Sequence, residues 1–148
     1  MTTLKEQLQE EMKAAMRAHE KQRLGVIRLM LAAIKQYEVD ERAVADDTHV
    51  IIMLDKMIKQ RRESVEQYEK AKREDLASQE RYEIELIQTF LPQALSVAEI
   101  DKLVSDAINL VGAKTMQDMG KVMAHLKPQL IGRADMSTVS SKIKERLS

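Results

Sequence analysis

The side chains able to do chemistry here are three histidines, the serines and threonines, many carboxylates and 24 lysines and arginines; there is no cysteine. His19, His49 and His125 lie far apart, and none belongs to an HExxH or comparable ligand spacing, so they read as surface or cap residues. A nucleophilic serine needs a base beside it and a turn that exposes it. No GxSxG-like segment exists, and Ser140 and Ser141 fall on a predicted helix. Gly25, Gly112, Gly120 and Gly132 stand singly, whereas a phosphate cradle needs clustered glycines. Carboxylates do acid and base work only inside a pocket, and on a charged helical bundle they are ordinarily solvated. The residues therefore predict no catalytic site, no metal and no cofactor, and a function exercised by binding something larger.

The cations are the remaining candidates. Net charge is zero, with 24 basic and 24 acidic residues, so the whole chain has no bias towards nucleic acid or anionic membrane. The distribution is less even: after Val111 the balance is 7 basic to 3 acidic. Lys121, Lys127, Arg133, Lys142, Lys144 and Arg146 have few acidic neighbours and form the candidate phosphate-binding set. No aromatic residue follows Phe90, so RNA contact there would run through backbone and shape rather than base stacking. Arg61 interrupts an apolar stripe and needs a carboxylate, which Glu80 or Glu83 can supply. The basic run Lys59–Ser64 is followed by neutralising glutamates and reads as a solvated face. Met116, Met119 and Met123 share a predicted helical face, as core fillers or as an adaptable interaction surface. Gly120 costs roughly 1 kcal/mol relative to alanine in a helix and hints at a close backbone approach.

The elements that must position these residues are helices. Apolar residues make up 44% and charged residues 32%, with four aromatics, four glycines and two prolines, a balance that favours helix over strand. Thr3 with Glu6 opens a first helix running to about His19. A second, with Leu24, Ile27, Leu31 and Ile34 on a wide apolar face, reads as central. Asp47 or Thr48 caps a long third helix carrying Ile51, Leu54, Ile58, Val65 and Tyr68, and a fourth runs from near Asp75 to Leu91. Ser96 with Glu99 opens a regular fifth helix ending at Gly112. Thr115 with Asp118 opens a sixth, expected to stop at Pro128, and Asp135 caps a seventh bearing Val139, Ile143 and Leu147. The fold class is all-α. The proline-containing break LPQALS divides it into a four-helix domain over 1–93 and a three-helix domain over 96–148.

Without cysteine, disulfides and thiolate metal sites are excluded, which fits a reducing compartment. The segment MTTLKEQLQEEMKAAM is charged throughout and reads as neither a secretory signal nor a membrane anchor. The expectation is a cytoplasmic protein that is not bound to a membrane.

Four stretches taken together carry a resemblance: MKAAMRAHEKQRLGVIRLMLAAIKQYE, IKQRRESVEQYEKAKREDL, ELIQTFLPQALS and MGKVMAHLKPQLIGRADMSTVSSKIKERL. In order and spacing the chain resembles the YqeY family over essentially its whole length. Its closing stretch, a helix with GKVM, a GRAD turn and a KIKERL helix, is similar to the tail domain of the B subunit of tRNA-dependent amidotransferases. That resemblance implies a tRNA-associated binding module carried by Lys121, Lys127, Arg133, Lys142, Lys144 and Arg146. Its expected partners are tRNA or a protein of the amidotransferase or translation machinery. Family members are often labelled carbon-nitrogen ligases through this shared part, a fold-level analogy that implies no activity without a partner subunit. The alternative is a helical protein-protein interaction module with no nucleic-acid role, using the methionine face and the long third helix.

Overall fold

The structure, a computed structural model, describes residues 2–148. It is all-α: α1 (Leu4–Arg17), α2 (Lys21–Glu41), α3 (Asp47–Lys70), α4 (Glu74–Gln88), α5 (Val97–Val111), a 3₁₀ turn Met116–Asp118, α6 (Met119–Leu130) and α7 (Met136–Leu147). The chain forms two compact units that divide between Leu91 and Pro92.

In the first unit α1 packs on α2, and α3 on α4, and α2 also touches α3 and α4. The two capping hydrogen bonds of Thr3 and Glu6 start α1 as their spacing predicts. α1 ends at Arg17, short of His19, because His19 takes a left-handed conformation (φ 58°) that turns the chain into α2. The cap of α3 is Asp46, one residue before Asp47. The Asp46 carboxylate accepts the His49 N–H at 2.9 Å, while Asp47 accepts the N–H of Leu4, also at 2.9 Å, and so ties the start of α1 to the start of α3. α4 ends three residues before Leu91. There Thr89, Phe90 and Leu91 donate their N–H groups to carbonyls three residues back, and the Thr89 hydroxyl donates to the Leu86 carbonyl at 2.6 Å.

The core of this unit is aliphatic. Leu8, Val26, Ile27, Met30, Ile34, Val50, Leu54, Ile58 and Ile87 are essentially fully buried, each worth about 1.5–3 kcal/mol of transfer free energy. On α3 the stripe is Val50, Leu54, Met57 and Ile58; Ile51 and Val65 lie on its margin. Arg61 continues that stripe and is held by Glu83 of α4, Nε to Oε2 at 2.8 Å, with both side chains about 15% exposed (15% and 14%). Its Nη1 also donates to the Met57 carbonyl at 3.3 Å. Glu80 is not the partner. Burial, with Glu83 nearby, pushes its carboxyl above the ordinary range, against a weaker pull from Arg61.

The second unit closes a separate aliphatic core from Ile100, Val104, Ala107, Val122, Leu126, Leu130, Val139, Ile143 and Leu147. Ser96 and Glu99 form the predicted capping box, and Gly112 ends α5 in the left-handed region (φ 67°), where a side chain is strained. Thr115 and Asp118 also form a capping box, but it opens a 3₁₀ turn, so α6 begins only at Met119. Met116 lies in that turn and is 42% exposed, while Met119 and Met123 pack against the core. α6 runs through Pro128 to Leu130 instead of stopping. The proline removes one hydrogen bond in the last turn, and continuing the helix buries Leu130 completely. At Gly120 a Cβ would meet nothing within 4 Å, so no backbone of this chain makes the close approach that the glycine suggested.

Two stability outcomes follow. At Gly25, inside α2, a Cβ also meets nothing within 4 Å, so Gly25→Ala should raise unfolding stability by about 0.5–1 kcal/mol in a denaturant titration. Glu83→Leu, which strands the Arg61 guanidinium, should cost about 2–3 kcal/mol, and adding Arg61→Met should restore most of it; a double variant no better than the single would deny the pairing.

Candidate nucleic-acid interface

The candidate cations sit in the second unit, and their surroundings follow from helix geometry. Residues of an α-helix step by about 100°, so the angle between a cation and the buried stripe decides what it meets. On α7 the stripe is Val139, Ile143 and Leu147. Lys142 and Arg146, four residues apart, share one flank of it and meet α5: Lys142 Nζ lies 2.8 Å from the Asp101 carboxylate, and Arg146 donates to the Ser105 hydroxyl. Lys144 lies on the other flank, exposed and in no ion pair among the described residues. Arg133, half-buried in the α6–α7 turn, donates Nε to the Gln93 carbonyl at 3.0 Å, while its own carbonyl accepts the Leu95 N–H at 2.9 Å. Those two bonds fasten the segment before α5 to the turn before α7.

On α6 the stripe is Val122, Leu126 and Leu130. Lys121 and Lys127, six residues apart and so about 240° round the helix, lie on different flanks. Both are exposed, and neither forms an ion pair among the described residues. Asp118 stands near Lys121, and its carboxyl is held below the usual range chiefly by the N–H of Lys114 (2.9 Å) and of Thr115 (3.3 Å), with the charges of Lys121 and Lys114 adding. The six candidates therefore divide. Arg133, Lys142 and Arg146 hold the unit together, whereas Lys121, Lys127 and Lys144 extend into solvent. Lys102 and Lys114 are exposed cations of the same unit outside the candidate set.

The first unit shows what its polar groups are engaged in. A solvent-open depression of about 590 Å³ is lined by Gln7, Glu10, Glu11, Arg23, Thr89 and Phe90, among others. Glu11 is paired with Arg23 at 2.8 Å, Glu10 with Lys13 at 3.5 Å, and the Thr89 hydroxyl donates to the Leu86 carbonyl, so these three groups are engaged within the fold. Among the described residues no group of three or more His, Asp or Glu side chains gathers as metal ligands, and no helix is long and apolar enough to cross a membrane. In the basic run of α3, Lys59 pairs with Asp55 at 3.2 Å and Arg61 with Glu83.

A family model described as Yqey-like protein matches residues 5–147. Among curated proteins, "Altered inheritance of mitochondria protein 41, mitochondrial" of Pyrenophora tritici-repentis is 32% identical over 141 residues, 93% of this chain and 77% of that protein. Its namesake in Vanderwaltozyma polyspora is 33% identical over 120 residues, 76% of this chain and 64% of that protein. In Lachancea thermotolerans the figures are 36% over 104 residues, 68% and 56%. The chain thus spans between about half and three quarters of the length of these relatives. Their names correct the expected cytoplasmic location, since they designate mitochondrial proteins. The missing cysteines that prompted the expectation do not discriminate, because a chain without thiols suits any compartment.

The division among the cations is measurable in the free protein. Lys142→Ala should lower unfolding stability by up to about 1 kcal/mol, whereas Lys121→Ala should stay within about 0.5 kcal/mol of wild type; equal effects would contradict the assignment.

Proposed function

This chain belongs to the Yqey-like protein family, and on that premise we propose that it is an RNA-associated accessory protein that acts by binding tRNA and carries out no chemistry of its own. The observation that carries the reading is the second unit's excess of cations after Val111, of which Lys121, Lys127 and Lys144 are exposed and in no ion pair among the described residues. Cations in that state exchange their counterions for phosphates at little internal cost, whereas Lys142, already beside Asp101, would have to give up a partner. The similarity of the closing stretch to an amidotransferase tail domain supports tRNA as the RNA and a protein of the same machinery as a further partner. The methionines speak less for a protein-interaction face, since two of the three pack inward.

The test is binding of the purified chain to total and amino-acid-specific tRNA at about 50 and about 200 mM salt. Wild type should bind more weakly at the higher salt. Lys121→Ala/Lys127→Ala/Lys144→Ala should weaken binding and flatten the salt dependence by about two to three charges. No binding at the lower salt, or binding unmoved by both salt and the triple variant, would refute the proposal.

A further inference from the structure

The second helix presents a row of cations that the fold does not use. α2 buries Val26, Ile27, Met30 and Ile34, and on the opposite side Lys21, Gly25, Arg28, Leu29, Ala32, Lys35, Gln36 and Val39 are all exposed. Lys21, Arg28 and Lys35 recur every seven residues, close to two full turns, so they lie nearly in line with about 10 Å between neighbours. Arg42 follows at the same interval, exposed, at the C-cap. None of the four is in an ion pair with a described residue, although most other cations of this unit are. The contrast within α2 is direct: Arg23, on the covered side, is held by Glu11 at 2.8 Å and Glu20 at 3.8 Å.

The same helix lacks carboxylates where they would neutralise the row. From Lys21 to Tyr37 there is none, and the first, Glu38, points the other way, to Lys5 Nζ at 2.7 Å and the Ala45 N–H at 2.9 Å. Asp40 accepts the Gln36 amide at 2.8 Å. Between the cations stand Gly25 and Ala32, themselves seven apart, so the helix backbone is barely covered along this line. Nothing in the fold requires glycine at 25, because the helix is regular there and a Cβ would meet no atom within 4 Å.

We propose that this face is a second RNA-binding surface, on which Lys21, Arg28 and Lys35 engage the phosphate backbone of a base-paired RNA segment and Gly25 and Ala32 let the helix approach it closely. A rigid, evenly spaced row of unpaired cations complements a regular line of phosphates. A membrane surface fits less well, because binding there needs a broad apolar face beside the cations, and the apolar face of α2 is spent in the protein core. An acidic protein fits less well too: the face has no aromatic anchor, and only Leu29 and Val39 as exposed large apolar residues. The surface goes beyond the C-terminal one and stands whether or not that one binds.

The experiment is fluorescence anisotropy of the full chain with a labelled RNA duplex of about 20 base pairs at several salt concentrations. Lys21→Glu/Arg28→Glu/Lys35→Glu should weaken binding at least about tenfold and reduce the salt slope by about two to three. Lys13→Glu/Lys56→Glu/Lys70→Glu changes net charge equally at exposed sites elsewhere and should have a much smaller effect. The α2 loss should persist in a Lys121→Ala/Lys127→Ala/Lys144→Ala background, which separates this surface from the C-terminal one. Thermal melts verify folding; if the charge reversals unfold the chain, Lys21→Ala/Arg28→Ala/Lys35→Ala should still reduce the slope by about two. Equal weakening by the two reversal triples, no duplex binding by wild type, or binding to phosphatidylserine vesicles but not to duplex would overturn the inference.

Discussion

An α-helix turns by about 100° per residue, and a domain built only of helices can bury just one stripe of each, so a charged residue's role is settled by its angle to that stripe. Both units obey this constraint. Flanking cations that reach a neighbouring helix become cross-links, as with Lys5 to Glu38, Arg23 to Glu11, Arg61 to Glu83 and Lys142 to Asp101. Cations turned away reach no neighbouring helix, and Arg28 and Lys35 on α2, Lys127 on α6 and Lys144 on α7 are exposed and in no ion pair among the described residues. A chain with zero net charge can therefore still present locally unneutralised positive surface, because its carboxylates are placed by the same rule.

The cores that impose this pattern are almost wholly aliphatic: Leu, Ile, Val, Met and Ala make up both buried clusters, and Tyr37, Tyr82 and Phe90 pack only at the edge of the first. Such cores are non-directional, so the alignment of helices falls to a few polar ties. Glu38 is one of them, since its carboxylate accepts from both Lys5 of α1 and the N–H of Ala45 in the turn before α3. Those two hydrogen bonds, the salt-bridged lysine first, hold its carboxyl below the ordinary range. The site on α2 is positioned by these contacts on the far side of the helix, without any contact of its own.

Much of the fold was legible in the sequence because its signals are local. Thr3 with Glu6, Ser96 with Glu99 and the left-handed Gly112 need only their own helix to act. Arg61 was legible for a related reason: a charge inside an apolar stripe demands a carboxylate, and the neighbouring helix supplies Glu83. What escaped depended on tertiary structure. Asp47 reads as the cap of α3 until Leu4 arrives to claim it, and Pro128 looks like a stop until the burial of Leu130 outweighs one lost hydrogen bond. Among the candidate cations, sequence could count charge but not tell Lys142 from Lys144, because Asp101 lies 41 residues away. The basic row of α2 has a seven-residue spacing that is plain in the sequence, but its excess of charge exists only by face and not by segment.

The central claim, that a cation's angle to the buried stripe decides whether the fold or a ligand uses it, is open to lysine acetylation footprinting by mass spectrometry with and without tRNA. In the free protein Lys5 and Lys142 should react slowly and Lys21, Lys35, Lys121, Lys127 and Lys144 fast, and tRNA should protect the fast group while leaving exposed Lys13 and Lys70 unchanged. Uniform reactivity in the free protein, or protection spread evenly over all exposed lysines, would contradict it.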